Sequence, residues 1–378
     1  MSDHAPLRIV HCFRSPVGGI FRHVRDLVRY QHEAGHKVGI LCDSITGGAH
    51  EDALFDTIRP FLNLGLTRVP MHRSIGPGDI VTALKCRSEI KSLKPDIIHG
   101  HGAKGGAMTR LVGSQLRVSR SRVSRLYSPH GGSLHYSRSQ LSGRFYFALE
   151  RFLERFTDGL VFVSDYERQA YTAKIGPPRP PSRLIYNGLH DKEFEDITPE
   201  EGAADFLYVG MMRDLKGPDV FIDALGKAEK LIGKPLSAMM IGDGDDKDKY
   251  RRMLEASGQT DRVKLEPAMP VRDALRRGEF VVVPSRAESL PYLVLETLAA
   301  GRPVIATRVG GIPEIFGVDS PVLIPPGNAD ALAKAMANTV GSPRELMAQM
   351  PDKMDLETRF SARTMANQIT DFYRDCTA

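Results

Sequence analysis

Two doubly wound α/β domains, each built on a parallel sheet, are what this sequence predicts, and three observations predict them. Short apolar runs of strand length recur along the chain, among them Arg8–Cys12, Lys37–Cys42, Phe280–Pro284 and Pro303–Thr307. They are continuous rather than alternating, as suits strands buried on both faces. Helix-length stretches separate them, and such alternation gives parallel sheets. The pattern lapses in a polar, acidic stretch from Asp191 to Ala204 and restarts at Phe206. A chain of 378 residues is also long enough for two cores. The expected division is 1–190 and 191–360, with 361–378 a terminal helix.

In chain order, the first strand, Leu7 to Phe13, enters Arg14-Ser15-Pro16-Val17-Gly18-Gly19 and then an amphipathic helix to about Glu33. Glycines between a strand and a helix start, Gly18 and Gly19, suit a phosphate or sugar, or simply a tight turn. An apolar run near Leu66 to Val69 and a helix from Asp79 to Leu93 lead to the strand Ile97–His99. His99-Gly-His-Gly-Ala-Lys-Gly-Gly106 then opens another helix. His99 and His101 alternate at a strand end, but no third ligand lies at a convincing spacing, so no metal is expected there. Lys104, at a helix start, is placed either to meet an acceptor phosphate or to be a surface lysine.

Ser124–Ser128 reads as a strand followed by Pro129-His130-Gly131-Gly132. A histidine at a strand's carboxyl end is placed for a polar role in the crevice of an open sheet, or for a structural hydrogen bond. A helix from Gln140 to Phe156 follows, with Phe145, Phe152 and Phe156 expected in the core. The strand within Asp158–Ser164 comes next, then a proline-rich break, and a strand from Arg183 to Tyr186 meets Asn187-Gly188.

The second half restarts with Phe206–Gly210. Arg213 and Lys216 follow just before a helix, Pro218 to Lys230. Two cations at a helix entry suit a diphosphate, Arg by its planar fork and Lys as a point charge. Ala238–Ile241 enters the turn at Gly242, which no GK[ST] follows, so it is not a Walker loop. Strands are also expected at Val263–Leu265 and Val322–Ile324, and the terminal helix at Ser361–Tyr373.

The densest information runs from Phe280 to Ile315: strand, polar turn, helix from about Pro291 to Ala300, strand, then Gly310-Gly311. Glu288 precedes the helix and Glu296 lies within it. A helix beginning near Ser289 would put Glu296 about two turns in, where a carboxylate can accept from ribose hydroxyls. The glycine pair would let backbone approach a diphosphate. The alternative is two solvated surface glutamates.

This segment resembles the donor-site signature of retaining glycosyltransferases of family 4, with the GT-B fold. It has Glu288-x7-Glu296 followed by Gly310-Gly311-Ile312-Pro313-Glu314. Many members have Glu-Gly-Phe where this chain has Glu288-Ser289-Leu290-Pro291, and Pro291 removes one N–H from the loop. Gly18, Gly19, His23, Val24 and Leu27 fit the family's GG-x4-V-x2-L pattern, and Pro129-His130-Gly131 its P-H-G segment. Gly242 fits its G-x-G-P turn, and Asn187-Gly188 its N-G element. The cations depart in spacing: Arg213 lies three positions after Gly210, with Lys216 three further.

The resemblance implies two Rossmann-like domains facing across a cleft and retaining transfer of a hexosyl unit from a nucleotide diphosphate sugar. It implies His130, Arg213, Lys216 and Glu288 as catalytic residues. Donor contacts would come from Gly18, Gly19, Gly242, Ser289, Leu290, Glu296, Gly310 and Gly311, with His101 and Lys104 on the acceptor side. No cofactor and no metal are expected, consistent with the lack of an Asp-x-Asp motif. The implied acceptor is a glycan or lipid-linked precursor in cell-surface synthesis. A non-catalytic GT-B protein or a GT-B epimerase would share the fold, but the intact Glu288/Glu296 spacing argues against both. No GxGxxG follows the first strand, which disfavours a nicotinamide dehydrogenase.

Composition narrows the remaining classes. Through Asn187 the chain carries 27 Lys and Arg against 15 Asp and Glu, a balance of +12; the remainder is at −7, giving the overall +5. The densest basic stretch, Arg110 to Arg125 with Arg117, Arg120 and Arg122, is either solvated surface or a contact for anionic lipid or a phosphorylated acceptor. No aromatic interleaving accompanies it, so nucleic acid is not an expected partner. No apolar run spans a membrane and no secretory signal is expected. Cys12, Cys42, Cys86 and Cys376 are scattered, which predicts free thiols in a cytoplasmic chain; the basic N-terminal half leaves open a peripheral contact with the inner membrane face.

Overall fold

The computed structural model describes residues 5–72, 76, 78–116 and 123–377. The chain forms two compact units, Met1–Gly188 with Ala362–Ala378, and Leu189–Ser361. In the first unit the elements are β1 (Arg8–Phe13), α1 (Gly18–Glu33), β2 (Lys37–Asp43), α2 (Ala49–Ile58), β3 (Gly65–Val69) and α3 (Gly78–Leu93). They continue through β4 (Ile97–His101), α4 (Gly102–Leu116), β5 (Ser124–Ser128), α5 (Leu141–Leu153), β6 (Gly159–Phe162), α6 (Asp165–Lys174) and β7 (Ser182–Leu184). All strand pairs are parallel, in the order β3-β2-β1-β4-β5-β6-β7.

The second unit holds β8 (Ala204–Val209), α7 (Pro218–Ile232), β9 (Ala238–Ile241), α8 (Lys247–Ala256), β10 (Val263–Glu266) and α9 (Val271–Ala274). Then come β11 (Gly278–Val283), α10 (Tyr292–Ala299), β12 (Val304–Thr307), α11 (Ile312–Phe316) and β13 (Leu323–Ile324). The unit closes with α12 (Ala329–Gly341), α13 (Pro343–Met347) and α14 (Lys353–Arg359). Its parallel sheet runs β10-β9-β8-β11-β12-β13. In both sheets the chain winds outward from its first strand one way, then returns to that strand's other side. The reversal falls between β1 and β4 in one and between β8 and β11 in the other, and ligands of doubly wound sheets bind at such a point.

The terminal helix α15 (Ala362–Thr377) belongs to the first unit. Its buried Met365, Ile369, Phe372 and Tyr373 pack with Ile9, Leu27, Ile97, Leu126 and Val161 on one face of the first sheet. The opposite face buries Val10, Cys12, Ile98, Met108 and Val112. Successive strand residues point to opposite faces. The face holding Ile9 and Ile97 is therefore also that of His11, His99 and His101.

Two expectations fail here. Phe145 and Phe152 are not core: they are 58% and 47% exposed on α5, together with Leu141. The basic stretch is not a uniform solvated patch either. Arg110 is fully buried, 2.8 Å from Glu150 and stacked over Tyr127, and Arg125 is buried against Asp158 at 3.0 Å. Arg117, Arg120 and Arg122 lie outside the described residues. The four cysteines are free thiols, three of them buried. Among the described residues no helix is long and apolar enough to cross a membrane.

Candidate active site

The loops after β8 and β11 meet at the reversal point of the second sheet. Lys216 ends a single 3-10 turn, Asp214–Lys216, that Gly217 closes in the left-handed region at φ 71°. A Cβ on Gly217 would stand 2.2 Å from the Pro284 carbonyl oxygen, so only glycine lets the two loops touch. The Lys216 ammonium donates to Glu288 Oε1 at 2.5 Å, and Ser285 Oγ donates to the same oxygen at 2.7 Å. Arg286 ties the loops again, its backbone N–H to the Leu215 carbonyl at 2.8 Å and its guanidinium bidentate to Asp219. Arg213 is half-buried beside this turn, and no carboxylate among the described residues pairs with it.

A third loop, after β12, packs onto the second. Gly310 adopts φ 59°, and a Cβ there would lie 1.8 Å from the Glu288 carbonyl oxygen. Gly311 donates its N–H to the Ser289 carbonyl at 2.6 Å. The glycine pair, expected to clear room for a diphosphate, is thus first required by the backbone that carries Glu288. Leu290 is buried at 4% exposure, which leaves only its backbone to face a ligand. Helix α10 begins at Tyr292 rather than near Ser289, so half-buried Glu296 lies about one turn in, not two. Gly242 follows β9 and backs onto Gly210.

At the reversal point of the first sheet the chemistry is different. The parallel register sets His11 beside His99, and Phe13 beside His101. Helix α1 lays His23, Leu27 and Gln31 along one stripe over them, four residues apart. His11 Nε2 bonds to Gln31 Oε1 at 2.9 Å, His11 Nδ1 to His101 Nε2 at 3.0 Å, and His101 Nδ1 to His130 Nε2 at 3.1 Å. With the Gln31 carbonyl accepting, His11 must carry its proton on Nε2. His101 and His130 then donate in turn from their own Nε2. His99 bridges the Tyr373 hydroxyl at 2.7 Å and Ser128 Oγ at 2.8 Å, and His23 Nδ1 bonds to Asn187 Oδ1 at 3.1 Å.

Burial keeps these rings neutral. It lowers His11 and His23 to about 4, and puts His99, His101 and His130 well below the ordinary histidine value; other imidazoles in the cluster push the same way. The expectation that His99 and His101 lack a third partner is therefore corrected. His11, His23 and His130 come from other elements, which spacing within one strand end does not report.

His130 itself sits at φ 49°, a conformation rare outside glycine. The next residue explains how it is held: the Gly131 N–H donates to the buried Glu167 carboxylate, which also accepts from Val163 N–H at 3.0 Å. Glu167 was legible only as a helix-start residue, in Ser164-x-x-Glu167, where Ser164 Oγ accepts its N–H at 3.1 Å. Lys104 has a carboxylate partner, Asp79, at 2.6 Å and is largely buried, so it is not an exposed surface lysine. Gly18 and Gly19 are exposed at the start of α1.

Residues 17–193 match the family described as Glycosyltransferase Family 4, and residues 203–341 match Glycosyl transferases group 1. The chain belongs to the family 4-type glycosyltransferases, with the GT-B fold. Among curated relatives, the glycosyltransferase is 26% identical over 306 residues to an uncharacterized glycosyltransferase of Methanocaldococcus jannaschii, covering 79% of this chain and 78% of that one. It is 24% identical to the alpha-D-kanosaminyltransferase of Streptomyces kanamyceticus, covering 79% and 82%. Among solved structures, Anabaena HepE in complex with UDP and glucose aligns with a TM-score of 0.78 at 16% identity, covering 97% of this chain and 99% of that one. That likeness carries the fold.

Proposed function

We propose that this glycosyltransferase moves a hexosyl unit from a nucleoside diphosphate sugar to an acceptor hydroxyl with retention at the anomeric carbon. The observation that carries the reading is the loop pair at the reversal point of the second sheet, where Lys216 is anchored on Glu288, itself held by Ser285, beside Arg213. In transfer, the bond from the anomeric carbon to the diphosphate oxygen breaks and a bond to the acceptor oxygen forms on the same face. The acceptor proton passes to the departing diphosphate. Lys216 and Arg213 stabilise the charge that develops there, without calling on a metal ion. Glu288 takes the Lys216 and Ser285 contacts on Oε1, which leaves Oε2 to accept from a sugar hydroxyl. Glu296 is assigned to the ribose, and Gly18, Gly19, Gly242 and Gly311 to backbone contacts with the donor. His130, and on the acceptor side His101 and Lys104, complete the assignment. HepE has been solved with UDP-glucose, which makes uridine sugars the first donors to try.

The acceptor reading is a growing cell-surface glycan or its lipid-linked precursor, met at the inner face of an anionic membrane. Leu141, Phe145 and Phe152 support it: their spacing puts three exposed apolar side chains on one face of α5.

Thermal-shift titration of the metal-free protein with nucleotide sugars, beside Glu296→Ala, tests the donor site. One nucleotide diphosphate sugar should raise Tm, and the variant should lose the shift. The reading fails if no nucleotide sugar shifts the wild-type chain and none is turned over with any acceptor.

A further inference from the structure

We propose that His23, His101 and His130 form a binding site for one borderline divalent transition ion of the zinc or cobalt class. The three side chains each offer one ring nitrogen, all within 4.8 Å of one another, from three separate elements: α1, the end of β4 and the loop after β5. Imidazole nitrogens bind zinc at about 2.0–2.1 Å in a tetrahedron, which puts neighbouring nitrogens about 3.3 Å apart and ring centres about 5 Å apart. His101 Nδ1 and His130 Nε2 are already 3.1 Å apart. The ring centres are separated by 4.8, 5.3 and 5.6 Å. Small side-chain rotations would complete the ligand set.

The groups behind the rings fit as well. A metal-bound histidine donates its other N–H to a carbonyl or similar acceptor, which fixes tautomer and orientation. His23 Nδ1 meets the Asn187 side-chain carbonyl, so Nε2 is its ligand atom. His101 Nε2 meets His11, which passes the same polarity on to the Gln31 carbonyl, so Nδ1 is its ligand atom. His130 would contribute Nε2, its proton moving to Nδ1. Neutral imidazole is the form that binds a metal ion. The neighbouring trio of His11, His99 and His101 is less suited, because Tyr373 and Ser128 hold both nitrogens of His99.

Three protein nitrogens leave a fourth position, as in zinc sites that keep one place for water or substrate. A water or a hydroxyl would take that position. Imidazole ligands favour zinc, cobalt, nickel or copper over magnesium and calcium.

The test uses the untagged full chain, stripped with chelator, titrated with Co2+ alone and read by its visible absorption, with Zn2+ in competition. The expected result is one ion per chain, bound at about micromolar or tighter, with the intense spectrum of a tetrahedral site. His130→Gln and His23→Gln should each weaken binding about 100-fold or more, and Asn187→Leu by about 10- to 100-fold. His99→Gln and His32→Ala, the latter half-buried away from the cluster beside Asn63, should change it less than threefold. Each variant's cooperative thermal transition shows that it is folded. The proposal is overturned if the wild-type chain binds no ion stoichiometrically, or if affinity follows His99 rather than His130. Binding is read without donor or acceptor, so the outcome is independent of the transfer reading.

Discussion

The two sheets reverse their winding at equivalent places, yet what stands there is opposite in kind. At the reversal point of the second sheet the side chains are charged and half-exposed, and Lys216, Glu288 and Arg286 hold their loops by ion pairs. At that of the first sheet the groups are neutral, buried and hydrogen-bonded to one another, and they come from β1, β4, α1 and the loop after β5. The difference teaches that topology fixes where a ligand crevice lies but not what it binds. Cations at loop tips stay hydrated until an anion arrives, whereas imidazoles over a sheet face give up their charge on folding.

The sharpest way to break this comparison is acid. The folded rings of His11 and His23 titrate near 4, below the unfolded value of about 6.5, so the unfolded chain takes up protons first. Stability is intact above pH 6.5 and is lost as pH falls towards 4. At pH 5 each of these two histidines should cost about 2 kcal/mol, close to a thousandfold together in the unfolding equilibrium. Chelator-treated protein followed by circular dichroism should lose the first unit's transition between pH 7 and 5 while the second unit's holds. A simultaneous loss of both would put the acid-sensitive groups elsewhere.

Next in size is Lys216→Ala. Removing one preorganised charge at the developing diphosphate should lower kcat about 100- to 1,000-fold with Tm nearly unchanged. Initial rates on the donor found by thermal shift measure it, and a change below threefold would take Lys216 out of the transfer step.

Gly310→Ala probes the frame rather than the chemistry. A methyl group 1.8 Å from the Glu288 carbonyl, at a positive φ, forces the loop after β12 to move. The expected cost is about 1–3 kcal/mol in denaturant melts, with weaker donor binding. Undiminished donor affinity would show that this loop's packing does not set the position of Glu288. The smallest effect on the fold is expected for Phe145→Ser, within about 0.5 kcal/mol because the ring is exposed. The same change should reduce cosedimentation with anionic vesicles, and unchanged cosedimentation would remove α5 from the membrane reading.

Much of this was legible in the residues. Continuous apolar strands, helix stops and a polar break determined the two doubly wound domains. Ser124–Ser128 and Ala238–Ile241 fall where the sequence put them. The signature from Glu288 to Glu314 carried the family resemblance and the proposed donor site because its elements are consecutive in sequence, and local spacing carries over into local geometry. What only the tertiary structure decided involves partners far apart in the chain. Phe145 and Phe152 have helical spacing, yet their side of α5 is left uncovered, which a single helix's pattern does not report. Arg110 reads as a surface charge until Glu150 is found 2.8 Å away. Gly310 reads only as room for a ligand until the Glu288 carbonyl is found where its Cβ would stand. His99 and His101 look like an isolated pair because their neighbours arrive by parallel register from β1, by a helix stripe from α1 and by a strained turn after β5. Sequence fixes periodicity along one element, while contact between elements depends on which faces the packed sheet brings together.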